Sequence, residues 1–196
     1  MVKTRFETPT WNETYMMLLR QADKIRRSRF KPDVIAGVSR GGLIPARLHS
    51  DLLENSCLTT VRTECYHGPR KSKETPVLSQ PVSIPINGKK ILIVDDVADT
   101  GRSLKLVTDH FMEKAAQEVM AATLYRKPWS MVKPDYCEKQ TELWVVFPWD
   151  LKETVRSAFE NHGKESIVEL ASDLYEAGLP KRLPARFLKE LVRTHT

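Results

Sequence analysis

Apolar residues recur along this chain at two spacings, and the chain divides where one gives way to the other. Over residues 11–29, WNETYMMLLRQADKIRRSR, the positions Tyr15, Leu18, Leu19, Ala22 and Ile25 stand three or four apart with polar residues between them. That period predicts an amphipathic helix. Thr10 followed by Glu13 has capping-box spacing, and Lys31-Pro32-Asp33 predicts where the helix has ended. Residues 34–38, VIAGV, read as a short buried strand, followed by Ser39-Arg40-Gly41-Gly42 and a helix over 43–53. Strand, glycine turn and helix in that order open an α/β unit. Further strands are predicted at 58–61, at 82–86 before the turn Asn87-Gly88, and at 91–94, 119–125 and 143–147. A helix is predicted over about 101–114. Residues 65–81, CYHGPRKSKETPVLSQP, lack a period and carry three prolines and a cluster of cations, which predicts a functional or disordered loop.

After Pro148-Trp149-Asp150 the strands stop. Residues 152–161, 164–176 and 184–193 have helical spacing, divided by His162-Gly163 and Gly178-Leu179-Pro180. The expected organisation is an α/β core over 1–150 and a helical tail of about three helices over 151–196.

Composition narrows the chemistry. At 196 residues, 41% apolar and 29% charged, the chain fits one ordinary globular core with an appendage. No run approaches the roughly 18 apolar residues of a membrane span, and MVKTRFETPT has no hydrophobic stretch, so no signal peptide and a cytoplasmic location are expected. Three cysteines without a CxxC pair argue for a reducing compartment and against a disulfide framework or zinc site. The scattered histidines include no HExxH. A net charge of +6 suits nucleic acid and a small polyanionic substrate equally. No zinc-finger, RNP or basic-zipper pattern accompanies it, so nucleic acid is not an expected partner.

The most informative stretch is ILIVDDVADTGRSL, residues 91–104, in which a greasy strand ends abruptly in acids and then in small and hydroxylated residues. The first turn of a helix leaves amides unpaired, and together with the helix dipole they suit a phosphate at Thr100, Gly101, Arg102 and Ser103. Carboxylates would repel that phosphate, so Asp95 and Asp96 need a different role. They could accept hydrogen bonds from a sugar diol, or face a divalent cation through its waters. A phosphate cradle beside diol-binding acids describes a ribose 5-phosphate pocket at the carboxyl end of a strand. The magnesium strand of P-loop ATPases also ends in acids, but the chain contains no GxxxxGK[ST], and GxGxxG is absent too.

This stretch resembles the motif by which type I phosphoribosyltransferases bind 5-phosphoribosyl 1-pyrophosphate (PRPP). VIAGVSRGGLIPA resembles the pyrophosphate loop of their purine members, and RKPWSMVKPDY with ELWVVFPWD resembles their base-binding hood. The resemblance covers about residues 11–150 and is strongest to compact archaeal and bacterial purine enzymes. It implies the type I fold, a mostly parallel sheet flanked by helices with a hood segment. It also implies transfer of a 5-phosphoribosyl group to a purine with release of pyrophosphate, Mg2+ as cofactor, and a homodimer.

Residue by residue, the resemblance implies that Asp95 and Asp96 take the ribose hydroxyls, directly or through Mg2+, and that Thr100, Gly101, Arg102 and Ser103 hold the 5-phosphate. Asp99 would act as general acid/base at N7 of the purine, or cap the following helix, or both. Ser39, Arg40 and Gly41, with Gly42, would wrap the pyrophosphate, with a cis peptide at Ser39-Arg40. The 65–81 loop would be a lid, with Arg70, Lys71 and Lys73 as candidate pyrophosphate ligands. Lys127 would face the group on carbon 6, Trp144 would stack on the base, and the backbone of Val145 would read its edge. Trp149 reads better as a core aromatic, and Asp150 as a candidate for a second Mg2+. An ammonium only donates, so Lys127 favours a 6-oxopurine. The 46 residues after Asp150 depart from short 6-oxopurine relatives, and archaeal relatives include adenine users, so both bases stay open. A PRPP-sensing regulator on the same fold is the alternative function.

Overall fold

The first helix, α1 (Trp11–Arg27), opens on the expected capping box. The Thr10 N–H donates to Glu13 Oε2 at 2.8 Å and the Glu13 N–H to Thr10 Oγ1 at 3.2 Å. Its buried face runs through Thr14, Met17, Leu18, Gln21, Ala22 and Ile25. Tyr15, which spacing alone places on that face, is exposed, because two polar residues, Thr14 and Gln21, occupy the inward positions. The computed structural model describes residues 5–66, 75–162, 167–180 and 182–194. Arg70, Lys71 and Lys73, the expected lid cations, lie outside the described residues.

The chain divides into two compact units, one formed by residues 14–141 and the other by the residues before 14 and after 141. The larger unit holds a six-stranded sheet in the order β4-β3-β2-β5-β6-β7. Its strands are β2 (Val34–Ser39), β3 (Leu58–Tyr66), β4 (Thr75–Gln80), β5 (Lys90–Ala98), β6 (Glu118–Arg126) and β7 (Tyr136–Gln140). All neighbours are parallel except β3 and β4, which pair antiparallel. This is the expected mostly parallel α/β core.

Alternate residues of the central strands enter different cores, which explains why ILIV carries no polar position. Val34, Ala36, Val38, Ile91 and Ile93 join Leu104, Val107 and Phe111 of α3 (Arg102–Glu113). Ile35, Leu92 and Val94 join Ile25 of α1 and Ala46 of α2 (Leu43–Leu52). Strands sandwiched in this way are apolar on both faces. Ile91 to Val94 are wholly inaccessible to solvent, and each such side chain contributes about 1.5–3 kcal/mol of burial.

Three expectations change. Residues 82–86 form no strand: Pro81 and Pro85 remove ladder donors, although Val82, Ile84 and Ile86 still pack on the core. Residues 75–80, expected within the loop, are instead β4, the return arm of a hairpin. The strand expected over 143–147 shrinks to β8 (Trp144–Val145).

In the smaller unit, β8 pairs in parallel with β1 (Phe6–Glu7). The three tail helices are α4 (Leu151–His162), α5 (Ile167–Glu176) and α6 (Arg182–Thr194). Val155 and Phe159 from α4, Leu170 and Leu174 from α5, and Leu188 and Leu191 from α6 form a core of their own with Val146 and Leu179. Among the described residues no helix is long and apolar enough to cross a membrane.

Candidate active site

Chain direction within the sheet locates the site. From β2 the chain passes through α2 to β3, and from β5 through α3 to β6, which lies on the opposite side of the β2-β5 pair. Strand order therefore reverses between β2 and β5, and α2 and α3 join different cores. In doubly wound sheets, ligands bind beyond the carboxyl ends of the strands at such a reversal. β2 ends there in Ser39, and β5 in Asp95, Asp96, Val97 and Ala98.

The two strand ends meet closely. A methyl group added to Gly41 would land on the carboxylate of Asp96, so the turn after β2 packs against an acid of β5 only because residue 41 lacks a side chain. The Ser39-Arg40 peptide is cis, as the resemblance implied, and Arg40 is exposed. The turn closes as the Leu43 N–H donates to the Arg40 carbonyl (3.2 Å) and the Gly42 N–H to the Val38 carbonyl (2.9 Å).

Asp95 and Asp96 are half-buried. Asp95 Oδ1 accepts from the Asp96 N–H at 3.0 Å, and Asp96 Oδ1 from the Val97 N–H at 2.7 Å. Burial, and next the neighbouring charge of Asp96, push the Asp95 carboxyl well above the usual carboxylate range. Two hard oxygen donors whose charges oppose one another fit Mg2+, which takes its other ligands from water and substrate oxygens. Among the described residues no group of three or more potential ligands occurs, so the pair itself is the candidate donor set.

Beyond β5 the chain turns into α3 through Gly101, whose φ of 78° is left-handed. A Cβ on Gly101 would meet Ser130 Oγ at 2.7 Å and the Val132 nitrogen at 2.8 Å, so glycine serves both the backbone and the close approach. The Arg102 N–H reaches Thr100 Oγ1 only at a long 3.4 Å, and Gly101 supplies no side-chain cap. Amides opening a 12-residue helix are suited to an anion.

Asp99 does not cap the helix. Its Oδ1 accepts from the indole Nε1–H of Trp129 at 2.9 Å. Lys127, 4% exposed, follows β6 directly, and its Nζ lies 5.6 Å from the Trp129 ring centroid. Sequence reasoning gives Trp129 no role. The one local signal is Pro128, which favours the second position of a turn and so presents the residue after it.

Trp144, Val145 and Asp150 belong to the smaller unit. Trp144 is exposed and Val145 buried in β8. Asp150 immediately precedes α4, with its carbonyl accepting the Thr154 N–H at 2.9 Å. Trp149, half-buried, stacks on Phe147 at 4.7 Å between centroids and lies 5.5 Å from Trp11.

The profile of the phosphoribosyl transferase domain matches residues 11–156. The chain belongs to the phosphoribosyltransferase family. It is 30% identical over 119 residues to xanthine-guanine phosphoribosyltransferase of Cereibacter sphaeroides, covering 60% of this chain and 68% of that one. To the enzyme of the same name from Gluconobacter oxydans it is 27% identical over 147 residues, covering 74% and 84%. Among solved structures, purine phosphoribosyltransferase from Pyrococcus horikoshii Ot3 superimposes with a TM-score of 0.68 at 39% identity, over 74% of this phosphoribosyltransferase and 94% of that chain.

Proposed function

We propose that this phosphoribosyltransferase transfers the 5-phosphoribosyl group of PRPP to a 6-oxopurine in purine salvage. The observation that carries the reading is the packing of Gly41 against the Asp96 carboxylate, which joins the pyrophosphate turn to the ribose acids at one strand reversal. The names of the relatives support a purine, and Lys127, a buried residue whose ammonium can only donate, supports an oxygen acceptor on carbon 6. We assign residues 1–150 to the transferase core and hood, and 151–196 to a helical extension.

In the reaction, the N9 lone pair of the base forms a bond to C1 of the ribose as the bond from C1 to pyrophosphate breaks. That electron pair departs with pyrophosphate. The N7 proton of the attacking base passes to the Asp99 carboxylate. Amides of Thr100, Gly101, Arg102 and Ser103 hold the 5-phosphate, while the Ser39, Arg40 and Gly41 turn holds the leaving group, Arg40 adding charge as charge develops. Asp95 and Asp96 hold the ribose hydroxyls and would hold Mg2+. Bound there, Mg2+ supplies positive charge that stabilises the departing pyrophosphate. The exposed Trp144 is our candidate to stack on the base, and the backbone of Val145 our candidate to read its edge.

The test is to incubate the protein with PRPP, Mg2+ and each of adenine, hypoxanthine, guanine and xanthine, and to measure nucleotide and pyrophosphate. A 6-oxopurine is expected to be used best; preference for adenine overturns the base assignment, and no product with any purine overturns the activity. Lys127→Ala is expected to lower kcat/KM for the 6-oxopurine about 10- to 100-fold, the worth of a hydrogen bond from a charged donor. Adenine turnover should change less than about threefold, since adenine has no acceptor there. Equal loss for both bases would remove Lys127 from base recognition.

A further inference from the structure

We propose that Trp129 is a positioning residue that holds the carboxylate of Asp99 for proton transfer at the base. The inference rests on the role given to Asp99 above. Asp99 is exposed and lies just past the end of β5, where a carboxylate would otherwise turn among several rotamers. A group that receives a proton in the transition state has to be held close to its working geometry.

Trp129 is built to do this. β5 and β6 are parallel neighbours, with Ala98 opposite Arg126, so Asp99 and Lys127 leave adjacent strands at the same level. The Lys127 N–H donates to the Ala98 carbonyl at 2.9 Å, continuing the ladder to that point. A four-residue turn follows, closed by the Ser130 N–H on the Lys127 carbonyl at 3.1 Å, with Pro128 second and Trp129 third. The Met131 N–H donates to the Thr100 carbonyl at 3.0 Å and pins the turn to the loop that carries Asp99. The indole is therefore carried on a segment tied on both sides of Asp99.

The donor itself is chemically apt. An indole N–H only donates. It binds Asp99 Oδ1 whether the carboxyl is ionised or has taken a proton on its other oxygen, so the same contact serves before and after transfer. Trp129 remains 57% exposed, so burial does not account for where its ring stands. The hydrogen bond to Asp99 and the approach of Lys127 do.

The experiment separates this role from simple support of the turn. Trp129→Phe keeps a ring near Lys127 and removes the N–H. It is expected to lower kcat about tenfold, as loss of a hydrogen bond to a charged group would, with KM for PRPP unchanged within about twofold and Tm within about 2 °C. In an Asp99→Ala background the same change should lower kcat less than about twofold, because a residue acting through another loses its effect when that partner is gone. Trp129→Gln, which keeps a donor but no ring, should retain more kcat than Trp129→Phe. Equal losses in both backgrounds, a large fall in Tm, or better retention by phenylalanine than by glutamine would overturn the proposal. If the unaltered protein makes no nucleotide from any purine, the role of Asp99 fails. If it is active and Trp129→Phe leaves kcat unchanged, the role of Trp129 alone fails.

Discussion

Gly41→Ala is expected to lower kcat/KM for PRPP about 100-fold, the loss that accompanies displacement of a substrate-positioning group by about 1 Å. The added methyl has nowhere to go except onto the Asp96 carboxylate. On the roles proposed above, either the acid moves off the ribose or the turn moves off the pyrophosphate, and both belong to one substrate. The fold should survive, because the obstructing atoms are the end of a side chain that can turn away. Gly42→Ala makes the contrast: its methyl would strike the carbonyl of Val94 and backbone atoms of Val38, so the sheet itself has to yield. That variant should lose stability, seen as a lowered Tm, whereas Gly41→Ala keeps Tm and loses turnover. Calorimetry and steady-state kinetics on the pair decide the matter. A Gly41→Ala enzyme within threefold of the parent would mean that PRPP does not lie between the turn and Asp96.

Much of the candidate site is legible in the sequence because its residues are close together in the chain. The acids, the left-handed Gly101 and the start of α3 lie within one stretch, and a strand ending in carboxylates before a helix has few other uses. The glycine turn is equally visible, but its reason is not: that Gly41 is small to admit Asp96 is a contact across 55 positions of chain. Trp129 escapes notice for the same reason, since its partner Asp99 is 30 residues away and an isolated Trp reads as core. The misread elements also have physical causes. Alternating apolar residues at 82, 84 and 86 imitate a strand because they do pack on the core, but prolines at 81 and 85 deny it a ladder. Tyr15 reads as inward because spacing cannot foresee that a glutamine, Gln21, takes the buried face of α1.

That glutamine leads to the second large effect: between pH 6.5 and about 4 the protein is expected to lose about 3 kcal/mol of stability through His49 alone. The Gln21 amide donates to the carbonyls of Thr123 (2.9 Å) and Tyr136 (3.0 Å), so its own oxygen is turned towards His49. His49 Nε2 lies 2.7 Å from that oxygen and has to be the protonated nitrogen. Nδ1 is buried with no hydrogen-bond partner among the described residues, and a second proton there would bury a charge without an acceptor. Burial accordingly lowers the His49 pKa from its ordinary 6.5 to about 4. Below pH 6.5 the unfolded chain takes up a proton that the folded protein refuses until about pH 4, so acid favours unfolding by about 1.4 kcal/mol per pH unit across the window. Urea denaturation at pH 7, 5.5 and 4.5 measures the slope. In His49→Gln the titrating ring is gone, and its share of the acid-induced loss should vanish even though removing the ring costs some stability at pH 7. The loss has a functional edge, because His49 sits in α2, the helix that opens from the Gly41-Gly42 turn, and Gln21 ties it through β6 and β7 to the sheet. An unchanged slope in the variant would show that His49 takes up its proton in the folded protein as readily as in the unfolded chain.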